Sequence, residues 1–325
     1  MVNHNTEERW QDLIKPYKKA HLGRSIWQIV NTVVPYFFIW ALMIYSLDHS
    51  YWMSLGLGFL NGLLTIRLFI INHDCGHRSF FKSRKANDIV GFWTGTLAFT
   101  PYAQWQYGHL LHHKRSGQFE DRGIGYFWIM GAQEYKSATT PVRLFYRFYR
   151  NPFVLFMLGG IYQFIFEFRL SFRSTNWKQR RGVYLTNILW AGIIVGMGSW
   201  IGYWNFFILM APVVVTSAFW GLWLFYVQHH YEGSYWSHKQ DWNFERAALE
   251  GSSYLKLDPI TEWFVGAINY HHIHHLAPQV PNYRLREAHH NIAHFRDVEP
   301  LTWKQIFGSW KLRLVDEDTC QWIDF

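Results

Sequence analysis

Cysteine is almost missing from this chain: Cys75 and Cys320 are the only two in 325 residues. Two thiols support no disulfide framework, and an iron–sulfur cluster takes four. With no flavin or haem motif either, the chain carries no electron-transfer group of its own. So few thiols, with Cys75 inside a histidine motif, point to a reducing, cytosol-facing site. No basic-then-apolar segment opens the sequence, because Met1 to Trp10 is polar and mixed in charge, so no signal peptide is expected. No glutamate stands between paired histidines, which excludes the HExxH zinc-protease motif. No low-complexity tract occurs. The net charge is +8 without any nucleic-acid motif, so the basic excess is assigned to a membrane surface and no nucleic acid partner is expected.

Aromatic side chains and uncharged apolar runs are what the chain has in quantity. Aromatic residues make up 20%, the composition of membrane interfaces, where amphipathic rings sit at headgroup level. Mean hydropathy is only −0.12, so a few spans are joined to a sizeable water-facing part. Four runs are long enough to cross a bilayer, at about residues 26–46, 51–71, 184–201 and 206–227. Pro35 inside the first is tolerated in a membrane helix, and the second is interrupted only by Arg67. Leu47 to Ser50 and Gly202 to Asn205 are the outer turns of two hairpins. Ile89 to Pro101 is too short to span and reads as a buried or re-entrant helix; Phe153 to Phe168 reads as interfacial. Arg284 to Phe295 is a polar helix candidate. Basic residues flank the spans on one side (Lys15, Lys18, Lys19 and Arg24; Arg78, Lys82, Arg84 and Lys85; Arg173, Lys178, Arg180 and Arg181). The positive-inside rule then makes residues 1–25, 72–183 and 228–325 cytosolic. The expectation is an all-α integral membrane protein, one domain over 1–325, with four transmembrane helices in two hairpins and a cytosolic helical cap.

Histidines gather on that cytosolic side. His73 and His77 stand at i and i+4, on one helix face directly after the second span. His109, His112 and His113 repeat at i, i+3, i+4, and so do His271, His274 and His275. Gln228-His229-His230 closes the fourth span, with His229 the preferred participant. A closed zinc site needs four ligands, so this set is large enough for two metal ions, and imidazole suits Zn, Cu, Fe and Ni. His272 breaks the shared face and reads as a neighbour rather than a ligand. Asp74, Asp121, Glu232 and Asp241 lie near these histidines, and Asp74 and Glu232 are candidates to accept the second N–H of a ligand imidazole. His4, His21, His49 and His238 read as solvated, and His289, His290 and His294 as members of a surface helix.

The ordered boxes HDCGH, HxxHH and HxxHH between paired spans resemble the membrane fatty acid desaturase family, over roughly residues 25–315. Ser79-Phe80-Phe81-Lys82-Ser83, Tyr146 to Phe153, Glu250-Gly251-Ser252-Ser253 and Pro278-x-Val280-Pro281-Asn282-Tyr283 resemble its bacterial acyl-lipid members. The nearest resemblance is to the Bacillus-type, Δ5-like phospholipid desaturases. The resemblance implies a di-iron centre held by His73, His77, His109, His112, His113, His229, His271, His274 and His275, with O2 as co-substrate. Two departures stand out: His230 doubles the histidine at 229, and Phe225 occupies a position that is asparagine in the acyl-CoA branch. The implied reaction removes two hydrogens from adjacent methylenes of a membrane lipid acyl chain to give a cis double bond. It draws electrons from an acidic ferredoxin or flavodoxin, for which Lys82, Arg84, Lys85, Lys114 and Arg115 offer a docking face, although anionic headgroups explain the same charges. The implied place is the bacterial plasma membrane, and a homo-oligomer is compatible with it. A lipid hydroxylase or ketolase on the same fold is one alternative. A metal-binding transporter is another and would place ionisable groups inside the spans. The floor of an acyl channel would fall among Trp40, Met43, Met53 and Leu57.

Overall fold

The computed structural model describes residues 9–125 and 127–325; His4 lies outside the described residues. Nine helices set the frame: α1 (Leu22–Ser46), α2 (Tyr51–Gly76), α3 (Arg84–Leu97), α4 (Tyr102–Arg115), α5 (Thr140–Tyr149), α6 (Trp177–Ile201), α7 (Tyr203–His229), α8 (His271–Leu276) and α9 (Asn282–Asn291). Four of them, α1, α2, α6 and α7, are long and apolar enough to cross a membrane. All four run further than their apolar cores. The extra length lies mostly at the end where the boxes stand, because backbone hydrogen bonding continues into the polar cap. The first box is therefore the last turn of α2, and His229 the last residue of α7.

Burial ranks the four. In α2 and α7, 61% and 50% of the most apolar window is buried, against 28% and 17% in α1 and α6. The central pair is therefore α2 with α7. Small residues permit this. A Cβ added at Gly58 would lie 2.4 Å from Pro212 Cγ, and one at Gly62 would lie 2.5 Å from Thr216 Cβ. Close approach through glycine is a means by which membrane helices gain dispersion contact. Exposed tryptophans mark both ends of the bundle. Trp27 and Trp177 lie near the starts of α1 and α6, and Trp52, Trp200 and Trp204 at the opposite end; amphipathic rings favour both membrane interfaces.

The first outer turn, Leu47 to Ser50, has the expected bounds, and the second is tighter than the sequence suggests. The second hairpin pivots on Gly202 alone, at φ +86°, so Tyr203 to Asn205 already belong to α7. Glycine takes this left-handed conformation without steric cost. In the first hairpin, Ser46 and Ser54 hydroxyls lie 2.7 Å apart and tie α1 to α2. Arg67 is buried rather than merely tolerated. Its Nε donates to Thr32 Oγ1 at 3.0 Å, Nη1 donates to the Trp263 carbonyl, and the guanidinium lies 4.1 Å from the Trp263 ring centroid. The arginine thus fastens the short helix Pro259–Phe264, just upstream of the third box, to the first hairpin.

The short elements complete the cap. The stretch expected at Ile89 to Pro101 is α3, which begins earlier because Ser83 Oγ accepts from Ala86 N–H. The stretch 153–168 opens as a π-helical turn, Val154–Gly159, and continues as Gly160–Ile165, bent 81° from α5. Leu155 and Phe156 are buried there, with the Phe156 ring 5.1 Å from that of Tyr226 on α7. The polar stretch 284–295 divides into α9 and a short helix, Ala293–Arg296. Among the described residues the fold is all-α except for a small sheet of two-residue strands: β1 (Met130–Gly131) pairs parallel with β2 (Leu314–Val315), and β2 pairs antiparallel with β3 (Trp322–Ile323).

Overpacking the central seam should be costly. Gly62→Leu should lower stability by about 1–3 kcal/mol, whereas Gly56→Leu, where an added Cβ meets nothing within 4 Å, should leave the thermal midpoint of the detergent-solubilised protein nearly unchanged.

Candidate metal centre

Four separate stretches deliver imidazoles to one place. Helical spacing puts His109, His112 and His113 on one face of α4, and His271, His274 and His275 on one face of α8. Nitrogens of His73, His77, His109, His113 and His274 lie within 4.8 Å of one another, and so do those of His112, His229 and His275. His271 joins the second group, its Nε2 at 3.0 Å from His229 Nε2. Other Nε2 pairs are equally close: His112–His229 at 3.1 Å, His109–His113 at 3.1 Å and His113–His274 at 2.9 Å.

These separations suit a cation. Imidazole binds first-row metals at about 2.0–2.1 Å, which sets adjacent ligand nitrogens about 3 Å apart. His77 Nε2 and His275 Nε2 are buried with no hydrogen-bond partner in the protein, which is costly for an imidazole that has lost its water. The donor set is all nitrogen, nearly all buried, and divides into five and four. Burial, then the neighbouring imidazoles, holds His77, His109, His113, His274 and His275 well below the ordinary histidine range. They are therefore neutral at physiological pH, the form that ligates metal.

Outer contacts orient the rings. Asp74 Oδ1 accepts from His73 Nδ1 at 3.1 Å, and Asp74 Oδ2 accepts from Asn282 N–H at 2.6 Å. One carboxylate thus ties the first box to the Pro-x-Val-Pro-Asn-Tyr turn before α9. His229 Nδ1 donates to the Gly251 carbonyl at 3.2 Å, so the Glu-Gly-Ser-Ser stretch acts as a backbone acceptor for the histidine of α7.

The paired histidines separate cleanly. His229 faces the cluster, while the His230 ring stacks on Tyr226 at 4.4 Å and meets Trp322 at 4.5 Å. His272 turns to the opposite side of α8, among Tyr254, His289 and Phe295. Glu232 needs correction as an orienting acid: it is exposed, and among the described residues no imidazole of the cluster bonds to it, because the turn after α7 directs it to solvent. Asp241 is exposed too, and Asp121 pairs with Arg115 at 3.2 Å. His238 is not simply solvated, since it bridges Glu120 at 2.7 Å and the Glu317 carbonyl at 2.8 Å. His21 caps α1, and His49 is exposed beside Tyr45. His289 also departs from a surface reading: it is buried behind the third box, and burial pushes it down to about 4, while His290 and His294 remain exposed.

Sequence spacing gave no warning of two further residues. Trp105 stacks on His109 with ring centroids 4.6 Å apart. Gly125, at φ +70°, lies so close to α4 that a Cβ there would meet His112 Cβ at 2.6 Å. Nothing local marks Gly125, because its role comes from packing against a distant helix.

A cavity of about 670 Å³ opens from the cluster into the bundle. His73, His109, His112 and His271 form its upper wall, and Phe69, Leu222 and Phe164 lie further down. Trp40, Met43, Met53 and Leu57 do not line it; they lie toward α1 or the outer turn, whereas the space lies between α2, α4, α7 and the 154–168 segment.

Fold and site together define a helical membrane protein with a histidine-built candidate metal centre beside an apolar cavity. The chain belongs to the fatty acid desaturase family, whose family model matches residues 50–306. It is 41% identical over 312 residues to the fatty acid desaturase of Bacillus subtilis (strain 168), covering 96% of this chain and 89% of that protein. It is 29% identical over 266 residues to the sn-1 oleoyl-lipid 12-desaturase of Synechocystis sp., covering 79% and 72%. It is 26% identical over 264 residues to the sn-1 acyl-lipid omega-3 desaturase (ferredoxin) of Nostoc sp., covering 77% and 71%.

Two sets of substitutions probe the centre. Asp74→Asn should weaken metal affinity about 10–100-fold, read by metal competition on the purified protein. His229→Ala and His274→Ala should each lose metal by elemental analysis, whereas His230→Ala and His272→Ala should retain the wild-type complement.

Proposed function

We propose that this protein is an oxygen-dependent acyl-lipid desaturase that inserts a cis double bond into acyl chains of membrane phospholipids. The convergence of nine imidazoles at one end of a largely apolar cavity carries this reading. His73, His77, His109, His113 and His274 would hold one iron, and His112, His229, His271 and His275 the other. When bound, the iron pair supplies, with O2, the oxidising power for C–H bonds that no side-chain acid or base can break. Two hydrogens leave adjacent methylenes, and O2, two external electrons and two protons account for the two waters formed.

The chain's own residues bind, orient and keep the site dry. Phe69 and Trp105 wall the cavity beside the first two boxes, and the Phe225 ring lies 5.4 Å from His112 and 5.2 Å from His229. Apolar walls exclude water from a reactive centre. Asp74 and the Gly251 carbonyl hold the rings of His73 and His229 in place. Among the described residues, Arg67 is the one charge deep in the spans, and its hydrogen bonds go to α1 and the Trp263 carbonyl, so it serves packing rather than ion passage. Such a pattern disfavours a transporter.

The basic residues beside the boxes support, by the positive-inside rule, a cytosolic assignment for that end of the bundle in a bacterial plasma membrane, and the chain is read as one domain. Lys82, Arg84, Lys85 and Lys114 are exposed there, and Arg115 is engaged by Asp121. An acidic one-electron carrier such as ferredoxin or flavodoxin fits this face.

Expression in a bacterial host that lacks unsaturated lipids of this kind tests the reading. Mass spectrometry of the lipids should find cis-unsaturated chains, and the purified protein should hold about two irons, lost in His109→Ala. Hydroxylated chains, or a protein that holds only zinc, would overturn it.

A further inference from the structure

We infer that Gly221 determines which acyl chains the enzyme accepts, by setting the width of the cavity above a floor at Thr65 and Ser217; this rests on the desaturase reading. The cavity ends where the central helices close. Below Thr65 and Ser217, the Gly62–Thr216 and Gly58–Pro212 approaches leave no space between α2 and α7. The third wall closes at the same level: a Cβ added at Gly160 would lie 2.9 Å from the Ala218 carbonyl oxygen. Above this level the walls part. An added Cβ at Gly221 meets no atom within 4 Å, and one at Gly159 meets nothing nearer than Leu222 Cδ2 at 3.7 Å.

Helix rise gives the depth. Thr65 lies about 12 Å below His73 along α2, and Ser217 about 18 Å below His229 along α7. Gly221 stands between floor and metal centre, about 12 Å below His229. The floor is built for a hydrocarbon end. Thr65 Oγ1 donates to the Asn61 carbonyl and Ser217 Oγ to the Val213 carbonyl, so neither hydroxyl proton is offered to a ligand. The methyl end of the chain rests there, and the length between it and the oxidised carbons is capped by the floor. A side chain at Gly221 raises that floor without disturbing helix packing.

The test compares wild type with Gly221→Ala, Gly221→Leu and Gly192→Leu in a bacterial host whose lipids contain acyl chains of several lengths. Gly192 is exposed on α6, with nothing within 4 Å of an added Cβ, and is the control. Conversion of each chain length is measured by gas chromatography with mass spectrometry, alongside the amount of protein in the membrane. Gly221→Leu should lower conversion of the longest accepted chains relative to the shortest by about tenfold or more. Gly221→Ala should shift the profile in the same direction, and Gly192→Leu should not change it. If both Gly221 variants accumulate normally and keep the wild-type profile, the inference is overturned. If Gly221→Leu fails to accumulate, an unchanged profile in Gly221→Ala is enough to overturn it. A wild-type protein that produces no unsaturated chains sinks the desaturase reading, and this inference with it.

Discussion

Nine imidazoles, drawn from four separate stretches, have to be held in two adjoining groups. That requirement explains much of the fold. Each ring gives up its water, so each needs a neighbouring helix to hold it in place. The spans α2 and α7 run past their apolar cores to bring His73 and His229 into the cluster. Helices α4 and α8 present their histidines on one face each, and the remaining cap elements press those faces together. Asp74 shows how tightly distant segments are bound. Its two oxygens join a histidine at the end of the second span to the backbone of Asn282, more than two hundred residues along the chain.

The same helices that gather the histidines also shape the space beneath them. The α2–α7 seam is tight where Gly58 and Gly62 face Pro212 and Thr216, and opens toward the boxes. One helix pair therefore acts as both a rigid membrane core and the two walls of the cavity. Precise placement of reacting groups calls for this kind of support, since sites built on packed helices hold their geometry better than sites on loops. The short segment 154–168 supplies the third wall, its π-helical turn packed against α7.

The local parts of this architecture were legible in the sequence. Four apolar runs announce four spans, and i, i+3, i+4 histidines announce helical faces, because both signals depend on periods that a helix imposes on nearby residues. Even the choice of His274 over His272 follows from that period. The choice of His229 over His230 comes from the resemblance to the family's histidine at the end of the fourth span; the His229 ring faces the cluster and the His230 ring stacks on Tyr226. Glu232, His289 and Gly125 escaped this reasoning. A carboxylate two residues past a span can point anywhere once the chain turns. A histidine in a polar helix is buried only if another element covers it, as the third-box helix and Tyr254 cover His289.

The sequence by itself therefore determined the class of the protein, the four stretches long and apolar enough to cross a membrane, and the helix faces that carry the histidines, since composition and periodicity act locally. Tertiary structure decided how the histidines divide into groups of five and four, which acid reaches a ring, and where the cavity stops. Those outcomes depend on how closely helices far apart in the chain approach, and that distance is set by side-chain volume across an interface. The channel floor illustrates the difference: the sequence points to Trp40, Met43, Met53 and Leu57 on the first hairpin, but the space lies between α2 and α7, and it ends where two glycines let those helices touch.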